Sequence, residues 1–401
     1  MGGSQLISVV CTSCGTEYSA DKLMGFCTIC GKVLYCVYDI KQAQASLTPQ
    51  IVAQRGRGIW RWQELLPVRD AANFVSLGEG STPLLACARL GDQLGGGSIM
   101  LKDESYNPTA SLRARGLAVA AAVGREYGIE AMSVPSLGDV GDALAAYAAR
   151  AGLKAYTFVP HDASTIHLAI EVACGAYTYR ISRTEMEGNQ LVRALGQRFG
   201  WFDVSSMREP YRIEGEKTLG YELAEDYEYN LPDALIYPLG SVMGLAAIWK
   251  GWAELEALGW LSSHRPRIYG IQTDACAPLA EAFKNGGEES KPWDLGIDTR
   301  YPPLRLRRTL GDYLVLKLVR ESGGQIISVS EDDIAAAQLE LARSEGIFAG
   351  PEGALAVAGL KQLRQDGIIS AAASVVIINP TAGMKEPQVV NLDDLPPVQA
   401  G

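Results

Sequence analysis

The sequence predicts an α/β protein with parallel sheets, helices on both sheet faces and a metal-binding module at the amino end. Two Cys-x-x-Cys-Gly units stand near the start of the chain. From about residue 94, short apolar runs rich in β-branched residues alternate with alanine-rich helical stretches. The chain has 401 residues and 47% hydrophobic content, which is enough for two or three domains with buried cores.

The composition excludes some classes of protein. The formal net charge is −10, which argues against a general nucleic-acid binder because such proteins need a basic face. The sequence has no apolar run of about 18 residues that would span a bilayer. Residues 1–10 lack the basic start and the cleavage site of a secretory signal. We therefore expect a cytoplasmic protein that binds neither membranes nor nucleic acid.

The two cysteine units predict a structural metal site within a zinc ribbon at residues 1–40. Each unit ends in a glycine, which a tight ligand-bearing turn tolerates. Zinc is the expected metal, a rubredoxin-like iron site has the same ligand set, and two turns with free thiols are the remaining alternative. The expected ligands are Cys11, Cys14, Cys27 and Cys30. The other cysteines, expected to be ordinary buried residues in a reducing compartment, are Cys36, Cys87, Cys174 and Cys276.

The alternating pattern places the remaining elements along the chain. Strands are expected at 131–135, 155–160, 177–181, 234–238, 267–271 and 374–379. Helices are expected near 116–127, 142–151, 216–227, 245–258, 331–344 and 353–365. Residues 41–105 should contain a linker, at about 46–58, and the first part of a large domain. Residues 285–304 should form a surface loop and residues 391–401 a tail.

Several segments resemble threonine synthases. Residues 107–116 read Asn-Pro-Thr-Ala-Ser-Leu-Arg-Ala-Arg-Gly and resemble the family's Asn-Pro-Thr-Gly-Ser-Phe-Lys-Asp-Arg-Gly. Further similar segments follow in order over nearly the whole chain, at 79–84, 145–153, 212–218, 249–251 and 346–348. The resemblance implies a fold-type II pyridoxal-phosphate enzyme, like the tryptophan synthase β subunit, with three-layer parallel sheets in two domains. It also implies a small domain at 106–190, a large domain at 191–390, a cofactor cleft between them and a homodimer.

Arg113 stands where the resemblance places the lysine that holds pyridoxal phosphate as a Schiff base. A guanidinium stays protonated up to a pKa above ~12, so it can neither form that bond nor act as a general base. Other positions that the resemblance assigns to the cofactor have also changed: the partner of its 3-hydroxyl, the phosphate loop and the partner of its pyridine nitrogen. All the degenerate positions are Arg113, Asp139, Ser241, Met243 and Pro380.

Three side chains could still bind a ligand, namely Arg113, Ser136 and Arg212. We predict that Arg113 pairs with Asp139 and closes the cleft, the alternative being that it clamps the carboxylate or phosphate of a small ligand. For Arg212, an ion pair at the domain interface and ligand binding are equally open. Arg115 matches the family's own arginine and is expected to be structural.

No other catalytic constellation is evident in the sequence. The three histidines have neither metal-ligand spacing nor a nucleophile beside them, and they are His161, His167 and His264. Three lysines that match lysines of the active relatives are expected to be surface or interface charges, and they are Lys102, Lys217 and Lys385.

These observations predict a catalytically inactive threonine synthase homologue with structural zinc and without pyridoxal phosphate. It would serve as a scaffold, a regulatory subunit or a sensor of a small anionic ligand, as a homodimer or with another protein such as an active paralogue. The alternative is an active pyridoxal-phosphate enzyme that uses another lysine or holds the cofactor noncovalently.

Overall fold

A computed structural model describes residues 3–181, 185–293 and 299–390 of the chain. The strands are β1 (Leu6–Cys11), β2 (Glu17–Ser19), β3 (Leu34–Tyr38), β4 (Leu84–Ala86), β5 (Ile99–Asp103), β6 (Ala131–Pro135), β7 (Lys154–Pro160), β8 (Tyr177–Ile181), β9 (Phe202–Asp203), β10 (Ala234–Pro238), β11 (Arg267–Thr273), β12 (Gln325–Val329) and β13 (Val375–Asn379). The helices are α1 (Ile40–Ser46), α2 (Pro49–Gln54), α3 (Ala88–Gln93), α4 (Arg113–Glu126), α5 (Asp139–Ala151), α6 (Thr165–Ala173), α7 (Glu185–Phe199), α8 (Tyr211–Glu216), α9 (Thr218–Asp226), α10 (Met243–Ala257), α11 (Pro278–Lys284), α12 (Asp312–Glu321), α13 (Glu331–Glu345) and α14 (Pro351–Gln365).

The strands form three sheets in the described part of the chain. The large sheet has the order β12-β11-β10-β13-β5-β4, and the small sheet has the order β8-β7-β6-β9. Their pairings are parallel except that β4 runs antiparallel to β5, so the expectation of wholly parallel sheets is wrong at that edge. The antiparallel pairing places β4 at the edge, where no crossover helix is needed. Strand β9 pairs with β6, so the small sheet continues past residue 190.

The six predicted strands are present with small shifts of their ends. The six predicted helices are present too, but α4 and α5 each begin three residues before the predicted start. In α5 the three additional residues include Asp139, which lies in the first turn with Asp142, and negative side chains stabilise the amino end of a helix. The predicted linker holds α2 and the end of α1.

The predicted loop at 285–304 is only partly a surface feature. Tyr301 and Leu304 are buried in the smaller apolar core, which lies between the large sheet and α13 and α14. Their apolar side chains are better placed there than in water, so the expectation of a surface loop is wrong for these residues. Residues 294–298 of that loop, and the predicted tail at 391–401, lie outside the described residues.

The amino-terminal sheet, with the order β2-β1-β3, shares an apolar core with the rest of the molecule. Val9 and Leu34 belong to the same buried cluster as Trp62 and Leu117. We call residues 3–38, which contain this sheet and the cysteine units, the ribbon. Of the four scattered cysteines, Cys174 is half-buried and the other three are buried, as expected.

Helices α4 and α8 approach each other closely through two glycines. A methyl group on Gly215 would lie 2.0 Å from the carbonyl oxygen of Arg115, and one on Gly116 would lie 3.0 Å from that of Arg212. These contacts fix α8 against α4 and bring the side chains of the two helices together. Within the described residues, no helix is both long and apolar enough to cross a membrane.

Candidate functional site

The four predicted metal ligands converge at one end of the ribbon. Their sulfur atoms lie within 4.8 Å of one another, with 3.4 Å between Cys11 and Cys30 and 3.6 Å between Cys14 and Cys27. A tetrahedral zinc ion with Zn–S bonds of about 2.3 Å separates its sulfur ligands by about 3.8 Å. The sulfur arrangement therefore fits a closed four-thiolate centre, which would join the two knuckles.

Both knuckles close with a glycine in the left-handed region, as the sequence predicts. Gly15 has φ of 71° and Gly31 has φ of 72°, and each donates its backbone N–H to the carbonyl of the first cysteine of its unit. A residue with a side chain would be strained at this φ. The two turns thereby aim both thiols of each unit to the same side.

Arg113, the first residue of α4, is buried and paired with Glu352. Its Nη2 lies 3.2 Å from Glu352 Oε1, while Nη1 has no hydrogen-bond partner among the described residues. The predicted pair with Asp139 is wrong as a direct contact, because a lysine from the carboxyl-terminal segment holds that carboxylate. Glu352, on the first turn of α14, went unnoticed in the sequence because a single acidic residue 239 positions away gives no local signal.

Two side chains fill the space beside the glycines of the predicted phosphate loop at 240–244. A methyl group on Gly240 would lie 2.7 Å from Glu352 Oε1, and one on Gly244 would lie 2.1 Å from the hydroxyl of Tyr237. Met243 is buried, and Ser241 accepts only a long 3.4 Å bond from the backbone N–H of Met243. The loop is thus packed with protein atoms and faces a carboxylate.

Burial of this carboxylate has an electrostatic cost. Desolvation raises the pKa of Glu352 to about 7, although Arg113 opposes the shift. Burial alone would lower the pKa of Arg113, but Glu352 and Glu216 outweigh that effect and raise it. Arg113 is therefore a permanent cation and cannot itself take a proton from a substrate carbon.

Arg212 and Glu216 lie one turn apart on α8 and complete the group of charged residues around Arg113. Arg212 donates from Nη1 to the carbonyl of Val204 at 2.7 Å, and its Nη2 lies 3.8 Å from Glu216 Oε1. Arg212 Nε and both carboxylate oxygens of Glu216 are buried without a hydrogen-bond partner in the described part. Arg212 is thus in an ion pair on its own helix, and its binding of a ligand stays a prediction. We call Arg113, Arg212, Glu216, Tyr237 and Glu352 the Arg113 cluster.

The other predicted site residues are committed to backbone contacts. The Ser136 hydroxyl accepts from the backbone N–H groups of Gly138 and Gly141 at 2.9 and 2.8 Å. Pro380 is buried, and its carbonyl accepts from the backbone N–H of Leu112 at 2.8 Å. Ser136 therefore caps the start of α5, and Pro380 fixes the turn before α4.

A second charged cluster, not expected from the sequence, lies at the start of α5. Lys385 Nζ is 2.6 Å from Asp139 Oδ1 and 2.8 Å from Asp142 Oδ2. His167 Nδ1 is 2.7 Å from the same oxygen of Asp142, and its Nε2 is 3.4 Å from Glu386 Oε1. We call these five residues the Lys385 cluster. Of the two expected positions of Lys385, surface or interface, the surface one is wrong, because its side chain is buried. The partners of His167, one 25 positions earlier and the other more than 200 positions later, were not predicted.

The bases of this cluster are held protonated. Burial lowers the pKa of Lys385, but Asp139 and Asp142 outweigh it, so the pKa is raised. Burial likewise opposes the charge on His167, yet its bonds to Asp142 and Glu386 raise its pKa to about 10. Asp139, Asp142 and His167 also have atoms close enough to share a metal ion, but the Lys385 ammonium contacts both carboxylates in that place. The cluster is an ion-pair network without a free nucleophile.

The other two lysines are buried as well, so of their two expected positions, surface or interface, the surface one is wrong. Lys102 Nζ lies 2.7 Å from Asp226, and Lys217 Nζ lies 2.5 Å from Glu214. Arg115 is buried between Glu104 and Glu222, at 2.6 and 2.7 Å, and this agrees with its expected structural role.

Pyridoxal phosphate does not fit the residues present. The Schiff-base position holds a guanidinium, and Asp139, at the position assigned to the 3-hydroxyl partner, is an anion engaged by Lys385. A phosphate dianion at 240–244 would meet the Glu352 carboxylate where backbone N–H groups should receive it. Each of these contacts opposes one part of the cofactor.

Comparisons with known proteins extend the similarity to nearly the whole chain. A family model described as pyridoxal-phosphate dependent enzyme matches residues 75–381. Threonine synthase of Methanocaldococcus jannaschii is 33% identical over 378 residues, which cover 94% of this chain and 92% of the relative. Threonine synthase of Methanosarcina acetivorans is 32% identical over 381 residues, covering 95% and 92%.

Solved structures of two other enzymes share the fold. Holo diaminopropionate ammonia lyase from Escherichia coli superposes with a TM-score of 0.65 at 16% identity, covering 80% of this chain and 89% of that one. Threonine deaminase isoform 2 from Solanum lycopersicum gives a TM-score of 0.63 at 19% identity, covering 81% and 90%. The predicted fold-type II class is therefore confirmed.

Proposed function

The chain belongs to the family of pyridoxal-phosphate dependent enzymes, and we propose that it is a threonine synthase-like member that has lost the family's reaction. In this proposal it acts as a non-catalytic scaffold or regulatory subunit, in a homodimer or together with another protein. The observation that carries the proposal is the buried pair of Arg113, at the Schiff-base position, and Glu352, whose carboxylate lies beside Gly240 of the predicted phosphate loop.

Three further features support the loss of chemistry. The cation at the Schiff-base position cannot become a nucleophile at neutral pH. The phosphate loop faces Glu352, and Asp139 is held by Lys385. Since these changes affect separate contacts of the cofactor, a single compensating change elsewhere does not repair them. Arg113 lies 3.2 Å from Glu352 and Arg212 lies 3.8 Å from Glu216, and this proximity of opposite charges supports the scaffold or subunit role over a sensor of small anions.

The same proposal includes zinc in the ribbon as a structural ion. Its support is the convergence of four sulfur atoms at distances close to those of a tetrahedral centre. Such an ion holds its ligands and takes no part in reactions. A metal analysis of protein purified without added metal tests this part, with one zinc per chain expected and iron as the contrary result.

One observation favours the alternative of an active enzyme with a displaced lysine. Lys385 Nζ lies 2.6 Å from Asp139, so an amine is present at the edge of the cleft. The two carboxylates that hold it raise its pKa, however, and a protonated amine does not attack an aldehyde. This alternative predicts that pyridoxal phosphate forms a reducible adduct on Lys385.

Absorbance of the purified protein with added pyridoxal phosphate, then borohydride reduction and intact mass, tests the proposal. We expect no band near ~410–430 nm, where an internal aldimine absorbs, and no mass increase. The threonine synthase of Methanocaldococcus jannaschii serves as the positive control. A stoichiometric adduct, mapped by peptide mass to Lys385 or to any other lysine, contradicts the proposal.

A further inference from the structure

The ribbon is bonded to one side of α8, a helix of six residues, at two points. Tyr38, the last residue of β3, donates from its hydroxyl to Glu214 Oε2 at 2.8 Å. The backbone N–H of Met24 donates to the hydroxyl of Tyr211 at 2.9 Å. Tyr38, Tyr211 and Glu214 are buried, so neither bond is exchanged freely with water. Hydrogen bonds thus connect the ribbon to the first turn and to the middle of α8.

The other side of α8 is pressed against α4. The 2.0 Å separation that a methyl group on Gly215 would have from the Arg115 carbonyl shows that the two backbones are in direct contact. A helix held in this way has no room to move toward α4. The ribbon contacts on the opposite side oppose motion of α8 away from α4.

Helix α8 also carries two members of the Arg113 cluster. Arg212 and Glu216 supply the charges next to Arg113, and several of their polar atoms have no hydrogen-bond partner in the described residues. Such a cluster is sensitive to small displacements, because each buried charge depends on the positions of its neighbours. A shift of α8 would therefore change the environment of Arg113.

The ribbon's three strands have six, three and five residues, so the sheet relies on the apolar core that it shares with the rest of the chain and on a metal that would join its two knuckles. Met24 lies in the segment between Cys14 and Cys27, and Tyr38 follows Cys30 by eight positions. The two residues of the ribbon that bond α8 thus lie in chain segments whose positions depend on the two knuckles. Without the metal, the knuckles are free to separate.

Under the ribbon, α8 also takes part in a buried ion network that water would enter. Lys217 Nζ lies 2.5 Å from Glu214 and 4.1 Å from the centroid of the Tyr38 ring, and Lys250 Nζ lies 3.1 Å from Glu214. Burial lowers the pKa of Lys217, so its ammonium is favoured by hydration. If Tyr38 moves away from α8, hydration of these charges favours the separated state of the ribbon and α8.

We propose that metal binding at the four cysteines fixes α8 against α4, so that the Arg113 cluster is ordered only while the metal is bound. The ribbon would then be a metal-responsive control element of the interior, for a thiophilic divalent ion such as Zn²⁺. This inference does not depend on whether the chain is catalytically active. It concerns the order of α8, which can be measured directly.

Hydrogen exchange with mass spectrometry on the full chain tests the proposal, before and after metal removal by a chelator under reducing conditions. Peptides covering α8 should exchange roughly tenfold faster or more after metal loss, as expected when two buried hydrogen bonds are released. Peptides covering β10 and β11 should be unchanged. Metal content is measured on the same samples.

Matched variants separate the metal from the contacts. Cys14→Ser should reproduce the effect of the chelator, while Cys174→Ser, at a cysteine outside the metal site, should not. Tyr38→Phe combined with Tyr211→Phe should keep the metal but loosen α8, and metal removal should then add little. Two results overturn the proposal: unchanged exchange of α8 after metal loss, or equal acceleration in β10 and β11, which would mean that the metal supports the whole fold without selective control.

Discussion

Arg113 Nη2 lies 3.2 Å from Glu352 Oε1, and both side chains are buried. The relationship joins the start of α4, at the position that the resemblance assigns to the Schiff-base lysine, to the start of α14. A lysine at position 113 would therefore face a carboxylate that stabilises its charged form. The arginine at position 113 and the carboxylate of Glu352 thus both oppose a neutral amine at this position.

Arg113→Lys alone should not restore Schiff-base formation. The new ammonium would pair with Glu352 and Glu216, which keeps it protonated, and the filled phosphate loop would remain. We expect no absorbance near ~410–430 nm with pyridoxal phosphate and no borohydride-stable mass increase. A stoichiometric adduct on Lys at position 113 would show that the other changes are tolerated.

Glu352→Ala should destabilise the protein by about 3–5 kcal/mol, because it leaves the Arg113 guanidinium buried without its closest partner. The double variant Arg113→Met with Glu352→Leu should stay within about 1 kcal/mol of the parent, since apolar residues of similar volume replace both charges. Urea denaturation gives both free energies of unfolding. Equal losses in the single and double variants would mean that the pair contributes packing alone.

Lys385→Met should cost about 3–5 kcal/mol, because Asp139 and Asp142 would then be buried without their ammonium partner. The loss should appear as faster hydrogen exchange in α5 and α6, which the cluster ties to the carboxyl-terminal segment. Lys317→Met is the control, since Lys317 is exposed and pairs weakly with Glu321 at 3.8 Å. Equal effects of the two substitutions would refute the structural role of the cluster.

The free energy of unfolding should fall as the pH rises from about 6.5 to about 10, partly through His167. Its folded pKa is raised, so the stabilisation is complete below the unfolded pKa and is lost as the pH passes through the folded value. The slope contributed by this residue is at most about 1.4 kcal/mol per pH unit. His167→Gln should flatten the profile in this window, whereas His264→Gln, at an exposed position, should leave it unchanged. An identical slope in His167→Gln would mean that His167 is neutral in the folded protein.

Gly215→Ala should destabilise the protein by about 3 kcal/mol or more, since its methyl group would clash with the Arg115 carbonyl and push α8 from α4. Gly56→Ala provides the comparison, because a methyl group on Gly56 meets no atom within 4 Å. Thermal unfolding of the two variants measures the difference. A neutral Gly215→Ala would imply that α8 can move without cost, and it would also weaken the metal-control proposal.

The elements of the fold were predictable where periodicity is strong and burial is complete. Strand β10 and strand β13 are uninterrupted apolar runs and were found within one residue. The edge strands β4 and β12 were not predicted, and half-exposed strands carry a weaker apolar signal. The inner strand β5 was not predicted either, although four of its five residues are buried. The knuckle glycines were predictable, because local spacing alone determines those turns.

The charged contacts of the cleft were not predictable in the same way. The sequence identified Arg113 and Asp139 as unusual, but their partners Glu352 and Lys385 lie more than 200 residues further along the chain. To predict that two charged residues form an ion pair, their distance in space must be known. Their separation in the sequence does not provide that distance. Only the parallel-sheet topology brings these residues to one place.

The position of β13 has a consequence for the making of the protein. This strand lies in the centre of the large sheet, between β10 and β5, yet of the described strands it is the last to be synthesised, and Asn379 bonds Asp103 across 276 residues. The small sheet is complete by residue 203 and can form early during translation. The large sheet, in contrast, stays divided into β12-β11-β10 and β5-β4 until residue 379 emerges from the ribosome, and the open strand edges of the two parts favour aggregation during that interval.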